Sequence, residues 1–221
     1  MGLRLEKCII LANGRAPKKS VINYLLKRNY STIICADGGA NSAMKLGIVP
    51  DYIIGDLDSV HKSTLDYFKA SSKIIRIHRQ NDTDVEKCLK YVVKNGAADA
   101  ILLGVTGDRL DHTFCNLGIV LKFFDKIQIK IIAENSILGA FKGNVILKTV
   151  SGETISLYGI DLKTKITSKG LKYPLKNIAL PFGIKESTSN VALFEDVKLK
   201  ITGGTIFIIR DFNTVKKYGL I

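Results

Sequence analysis

Acidic side chains recur in this chain beside glycine and asparagine, at spacings that allow them to share a ligand. The segments are Asp37-Gly38-Gly39-Ala40-Asn41, Gly55-Asp56-Leu57-Asp58-Ser59, Gln80-Asn81-Asp82-Thr83-Asp84 and Thr106-Gly107-Asp108-Arg109-Leu110-Asp111-His112, with Asn116 about one helical turn later. Two carboxylates at i and i+2 of a loop, as at Asp56 and Asp58, can converge on one hard cation through oxygen ligands. Gly38 and Gly39 let the backbone approach a ligand closely, and free N–H groups at a helix start attract an anion. Arg109 carries the planar fork that clamps a phosphate, and Asp111 can orient Arg109 or His112. Each feature also has a plainer explanation. Asp58 or Ser59 can cap a helix, Asp84 falls where a first-turn charge is favourable, and His112 suits a helix start. Jointly they say more, because like charges gathered along one edge cost stability unless a cation offsets them. A metal–nucleotide site, with Mg²⁺ as the cation, is the expectation.

These segments need a scaffold that brings them together. Short apolar runs at Cys8–Ala12, Thr32–Ala36, Tyr52–Ile54, Lys73–Ile77, Ala100–Val105 and Gln128–Ala133 read as strands, most of them buried on both faces. Helical patterns lie between them at Ser20–Lys27, Val85–Val93 and His112–Phe124. Thr83-x-x-Glu86 has the spacing of a capping box. The alternation predicts a doubly wound α/β domain with a mostly parallel sheet, in which ligands bind beyond the carboxyl ends of the strands. The acidic segments each follow a predicted strand.

From about residue 136 the helical rhythm fades. Val145–Val150, Thr154–Tyr158, Lys198–Ile201 and Thr205–Ile209 are short and β-branched, with Ser151-Gly152 and Gly203-Gly204 reading as turns. The expected division is residues 1–135 as an α/β nucleotide- and metal-binding domain and 136–221 as a small β-sandwich or barrel.

Composition narrows the function classes. Hydrophobic residues make up 46% and charged residues 24%, which argues against a disordered chain. No apolar run reaches the roughly 18 residues of a membrane span, so a cytoplasmic protein without membrane contact is expected. Cys8, Cys35, Cys88 and Cys115 form no CxxC pair and read as four buried thiols. The net charge of +13 is spread along the chain and favours polyanionic ligands. A nucleoside triphosphate satisfies it, whereas no nucleic-acid signature or interleaved basic–aromatic strip is visible, and no nucleic acid is expected.

The ordered set ADGGAN (36–41), PDYIIGDLDS (50–59), NDTDVEK (81–87) and TGDRLDH (106–112) with Asn116 resembles the motifs of thiamine pyrophosphokinases. Gly170–Leu175, Leu180-Pro181-Phe182-Gly183 and Thr188-Ser189-Asn190 are similar to that family's thiamine-side segments. The resemblance implies that ATP and thiamine give thiamine diphosphate and AMP. It also implies a homodimer whose thiamine pocket forms where the C-terminal domain of one subunit meets the N-terminal domain of the other. By the same resemblance Asp56, Asp58, Asp82 and Asp84 are the catalytic acids, with Mg²⁺ on Asp56, Asp58 and Asp84. Asp37, Gly38, Gly39, Asn41, Arg109, Asp111, His112 and Asn116 fall on the ATP side, and Ser189 and Asn190 near thiamine. The chain has no Trp, so an aromatic platform must come from Tyr or Phe, and Tyr173 is the expected one. Two departures from this reading are another alcohol acceptor on the same scaffold and a non-catalytic nucleotide- or nucleic-acid-binding protein.

Overall fold

The computed structural model describes residues 5–78, 81–107 and 109–220. Gln80 and Asp108, which the loop readings included, lie outside the described residues. The chain divides into two compact units, Met1–Ala133 and Glu134–Ile221.

In the first unit, β1 (Lys7–Leu11), β2 (Thr32–Ala36), β3 (Tyr52–Gly55), β4 (Lys73–Arg76), β5 (Asp99–Leu103) and β6 (Gln128–Ala133) are separated by α1 (Lys19–Leu26), α2 (Gly39–Leu46), α3 (Lys62–Phe68), α4 (Asp84–Lys94) and α5 (Leu110–Lys122). The strands pair in parallel in the order β6-β5-β1-β2-β3-β4. Continuous apolar runs such as Cys8–Leu11 and Ala100–Leu103 are buried, as strands covered on both faces require. Helix α4 shows how the sequence sets an element. Thr83 Oγ1 accepts from the Glu86 N–H at 3.2 Å, and Val85, Cys88, Leu89 and Val92 bury one face against β2 and β3. The capping box is only half formed, because the Glu86 carboxylate turns to Lys90 and Lys122 instead. Two stronger charge partners outcompete one backbone N–H.

The order of the strands has a functional consequence. The chain runs outward from β1 through β2, β3 and β4, then returns to lay β5 on the other side of β1. The loops after β1 and β5 therefore leave in opposite directions, and a crevice opens at this switch point.

The second unit contains β7 (Ser136–Lys148), β8 (Thr154–Gly159), β9 (Lys165–Lys169), β10 (Ile178–Ala179), β11 (Ser187–Val191), β12 (Asp196–Asp211) and the short α6 (Phe212–Lys217). Strands β7 and β12 are long and run antiparallel along their whole length. One half of β12 also pairs with β9, the other half with β8, which in turn pairs with β11. These strands enclose one core of Ile155, Leu157, Ile166, Val197, Leu199, Ile201, Ile206 and their neighbours. Gly203-Gly204 is therefore not a turn between two strands. It lies inside β12 where the register shifts between Ile201 and Ile206, and Gly203 has φ +83°. A side chain at Gly203 would strike the Lys163 carbonyl, so glycine allows the irregularity across which β12 pairs with β9 on one side and β8 on the other.

Candidate active site

A cavity of about 960 Å³ opens at the switch point in the first unit. Its walls come from the loops after five strands, including Asn13, Gly14 and Arg15 after β1, Gly38 after β2, Asp56 and Ser59 after β3, Asp82, Thr83 and Asp84 before α4, and Arg109, Asp111, His112 and Asn116 at α5. Most of the expected nucleotide-side and catalytic residues are thus gathered at one place. The β1 loop is not among the sequence expectations, where Asn13-Gly14 only ends a strand. Its backbone is locked to the β5 loop: Gly14 N–H donates to the Gly104 carbonyl at 2.7 Å and Arg15 N–H to Thr106 at 2.8 Å. A Cβ at Gly14 would lie 2.5 Å from both the Gly104 and Thr106 oxygens, so only glycine permits the approach.

The acids divide by what holds them. Asp37 is 2% exposed, has φ +42°, and accepts from Val60 N–H at 2.9 Å and Ser59 N–H at 3.4 Å. Asn41, one turn on, donates to the Ser59 carbonyl and accepts from His61 N–H, both at 3.0 Å. Asp37 and Asn41 therefore brace the loop that carries Asp56 and Asp58. Gly39 starts α2 against the Leu11 carbonyl, with no room for a side chain. Oxygens of Asp37, Asp56 and Asp58 lie within 4.8 Å of one another. This grouping adds Asp37 to the expected Asp56 and Asp58; Asp84 lies outside it, and one lysine engages both Asp84 and Asp56. Three hard oxygen donors at this separation fit a cation such as Mg²⁺. Burial, opposed by the Ser59 and Val60 N–H groups and reinforced by the Asp84 charge and a hydrogen bond with Asp56, pushes Asp37 up to about 6. A bound cation would oppose that shift by favouring the ionised form.

Lys87 is the engaging lysine. Its side chain is 2% exposed, and its Nζ lies 3.1 Å from Asp56 Oδ2 and 2.8 Å from Asp84 Oδ1. Burial of Asp56 works against ionisation, but the hydrogen bond and charge of Lys87 outweigh it and hold the carboxyl below the usual range. Lys90 reaches Asp82 at 2.7 Å and Glu86 at 3.0 Å, and Lys122 from α5 reaches Glu86 at 2.6 Å. The acidic edge thus carries one interior cation, Lys87, and two exposed ones, Lys90 and Lys122, all paired with its carboxylates. Lys87 closes the NDTDVEK segment, and its spacing of one turn from Asp84 is the signal that points to it.

At α5, Arg109 Nε donates to Asp111 Oδ1 at 3.2 Å, and a second guanidinium nitrogen donates to Oδ2. The pair is exposed, and Asp111 orients Arg109, which leaves further donors of the fork for an anion. Asn116 is buried and donates to the Val105 carbonyl at 2.7 Å, tying α5 to the β5 loop. Cys115 corrects the expectation of four buried thiols: it is exposed and lines the cavity, whereas Cys8, Cys35 and Cys88 are buried. Burial pushes the Cys8 thiol up to about 12, leaving it an inert hydrophobe.

The expected thiamine-side residues sit together within the second unit. Tyr173 exposes 60% of its surface, and the Lys172 ammonium lies 5.7 Å from its ring centroid. Ser189 has φ +55° at the point where β11 slips register between Ser187 and Asn190. Asn190 is 1% exposed.

Two family models match the chain in tandem. The thiamin pyrophosphokinase catalytic domain matches residues 24–133, and the thiamin pyrophosphokinase vitamin B1 binding domain matches residues 144–206. A thiamin pyrophosphokinase 1 of Caenorhabditis elegans is 29% identical over 199 residues, covering 83% of this chain and 81% of that protein. A thiamine pyrophosphokinase 1 of Arabidopsis thaliana is 27% identical over 216 residues, covering 85% and 79%. The solved thiamin pyrophosphokinase of Candida albicans shares the fold with a TM-score of 0.82 at 20% identity, over 93% of this chain and 89% of its own. The Bacillus subtilis structure does so with a TM-score of 0.78 at 23% identity, over 93% and 99%. With two models of one family falling in order on the two units, the chain belongs to the thiamin pyrophosphokinase family.

Proposed function

We propose that the protein transfers the pyrophosphoryl group of ATP to the hydroxyl of thiamine, yielding thiamine diphosphate and AMP. The observation that carries this reading is the tandem family match, together with the acids from successive strand ends around one cavity. The hydroxyl oxygen bonds to the β-phosphorus as the bond from that phosphorus to the α–β bridging oxygen breaks, and AMP leaves with that oxygen. The hydroxyl proton passes to a carboxylate of the acidic edge, with Asp82 and Asp37 as the two candidates. Mg²⁺, when bound, neutralises triphosphate charge and polarises the attacked phosphorus. Asp56 and Asp58, with Asp37 or Asp84, would hold it.

The remaining work in this reading is positioning. Lys87 favours the ionised form of Asp56 and, by pairing with both Asp56 and Asp84, fixes their spacing. Arg109, oriented by Asp111, clamps phosphate, while Gly38, Gly39, His112 and Asn116 shape the nucleotide side. Tyr173, Ser189 and Asn190 form the thiamine side. Orientation of this kind supplies at most about 7–11 kcal/mol of a barrier. A homodimer with shared thiamine sites and a cytoplasmic location belong to the same proposal; no described helix is long and apolar enough to cross a membrane.

The test is an end-point assay with thiamine, ATP and Mg²⁺ that resolves AMP from ADP, with a no-thiamine control. Thiamine-dependent AMP and thiamine diphosphate are expected. ADP in place of AMP would mean single phosphoryl transfer, and no thiamine-dependent product would mean a different acceptor.

A further inference from the structure

Asn190 stands out among the thiamine-side residues because its side chain has nothing left to offer a ligand. It is 1% exposed. Its Oδ1 accepts from Tyr173 N–H at 3.1 Å and from Val191 N–H at 2.9 Å. Its Nδ2 donates to the Tyr173 carbonyl at 2.8 Å and to Ser187 Oγ at 3.0 Å. An amide side chain has two acceptor sites and two donors, and all are used.

The backbone explains why a side chain is needed there. The Tyr173 segment runs beside residues 190–193: Lys172 N–H donates to Val191 at 2.8 Å and Leu193 N–H to Gly170 at 2.8 Å, with a bridge between Leu171 and Ala192. The next rung would fall where β11 bulges, and there Ser189 turns away with φ +55° to donate to Ser156 Oγ at 3.0 Å. The Asn190 amide takes the place of the missing peptide unit and binds both backbone groups of Tyr173. One buried amide thus fixes the exposed Tyr173 ring on one side and the bulge that presents Ser189 on the other.

We propose that Asn190 is a positioning residue of the thiamine site: it touches no ligand, and it holds Tyr173 and the Ser189 bulge in the form that meets thiamine. This rests on the thiamine reading above and revises the expectation that Asn190 itself binds thiamine. Its loss frees Tyr173 to leave its place, which weakens thiamine binding without touching the phosphate chemistry.

The experiment measures thiamine KM, ATP KM and kcat for the full-length enzyme and for Asn190→Ala, Tyr173→Ala and the double variant. Amide exchange at Tyr173 is measured in parallel. Expected are a thiamine KM raised about tenfold in each single variant, with kcat and ATP KM within about twofold, and a double variant hardly worse than either single one, since coupled residues are non-additive. Tyr173 N–H should exchange faster in Asn190→Ala. Asn190→Ser, too short to reach Tyr173, takes its place should the alanine variant not fold. Additive KM effects, or an unchanged Tyr173 exchange rate, would overturn the proposal. Faster exchange with unchanged thiamine KM in every variant would also overturn the positioning role, and would remove Tyr173 from the thiamine site as well.

Discussion

Around the cavity of the first unit the site is made of charge, and its acids are held by named partners: Lys87 for Asp56 and Asp84, Lys90 for Asp82, the Ser59 hydroxyl for Asp58, backbone N–H groups for Asp37. In the second unit Tyr173, Ser189 and Asn190 carry no charge, and their order comes from hydrogen bonds to backbone and hydroxyl groups. The contrast follows from the proposed ligands. A metal triphosphate is a dense charge that needs paired, fixed ions, and those ions must be prevented from repelling one another while the site is empty. An aromatic cofactor needs a surface at a set angle, and uncharged groups hold it without perturbing its charge. The first kind of site should fail in turnover when altered, the second in affinity.

The largest effect should come from Asp56→Asn. Turnover is expected to fall by about 10²-fold or more and lose its Mg²⁺ dependence, with circular dichroism and melting temperature close to the parent's. A normally Mg²⁺-dependent, active variant would sink the metal assignment. Next is Lys87→Met, which leaves two carboxylates without their interior cation. A loss of about 3 kcal/mol in denaturant unfolding is expected, partly restored by millimolar Mg²⁺ in the variant more than in the parent. Unchanged stability would show that the acids do not depend on Lys87. Tyr173→Ala comes third: thiamine KM should rise about tenfold with ATP KM and kcat nearly unchanged, roughly the loss of one aromatic contact. A fall in kcat alone would erase the proposed division of labour between the units. Smallest is Asn116→Ala, which removes the tether to Val105 and should cost about 1 kcal/mol of stability, with a rise in ATP KM but not in thiamine KM. A change confined to thiamine KM would contradict its place on the nucleotide side.

Much of the first unit is legible in its sequence because buried parallel strands announce themselves as apolar runs, and the acids between them are too many for capping alone. The reading of Asp84 as a ligand beside Asp56 and Asp58 misses Lys87, because nothing in one helix turn says that its ammonium points at a carboxylate from another strand. The Asn13-Gly14-Arg15 loop is passed over for a related reason. It matters only because β1 lies at the switch point, and strand order is set by long-range pairing. In the second unit, Gly203-Gly204 looks like a turn by local rules. It becomes a bend inside one strand because β12 gains hydrogen bonds to β7 on both sides of it.

Residue type and spacing by themselves determined the α/β and β succession, the acids and glycines after successive strands, the Thr83 cap, and the motif order that marks the family. These depend on periodicity and on neighbours a few residues apart, which the chain carries in its own order. Tertiary structure alone decided that Asp37 joins Asp56 and Asp58, that Lys87 sits among the acids, that Cys115 faces the cavity, and that Asn190 spends its whole amide on Tyr173. Each of those outcomes depends on which groups burial forces to find partners, and a buried ammonium or amide takes its partner from wherever in the chain the fold supplies one.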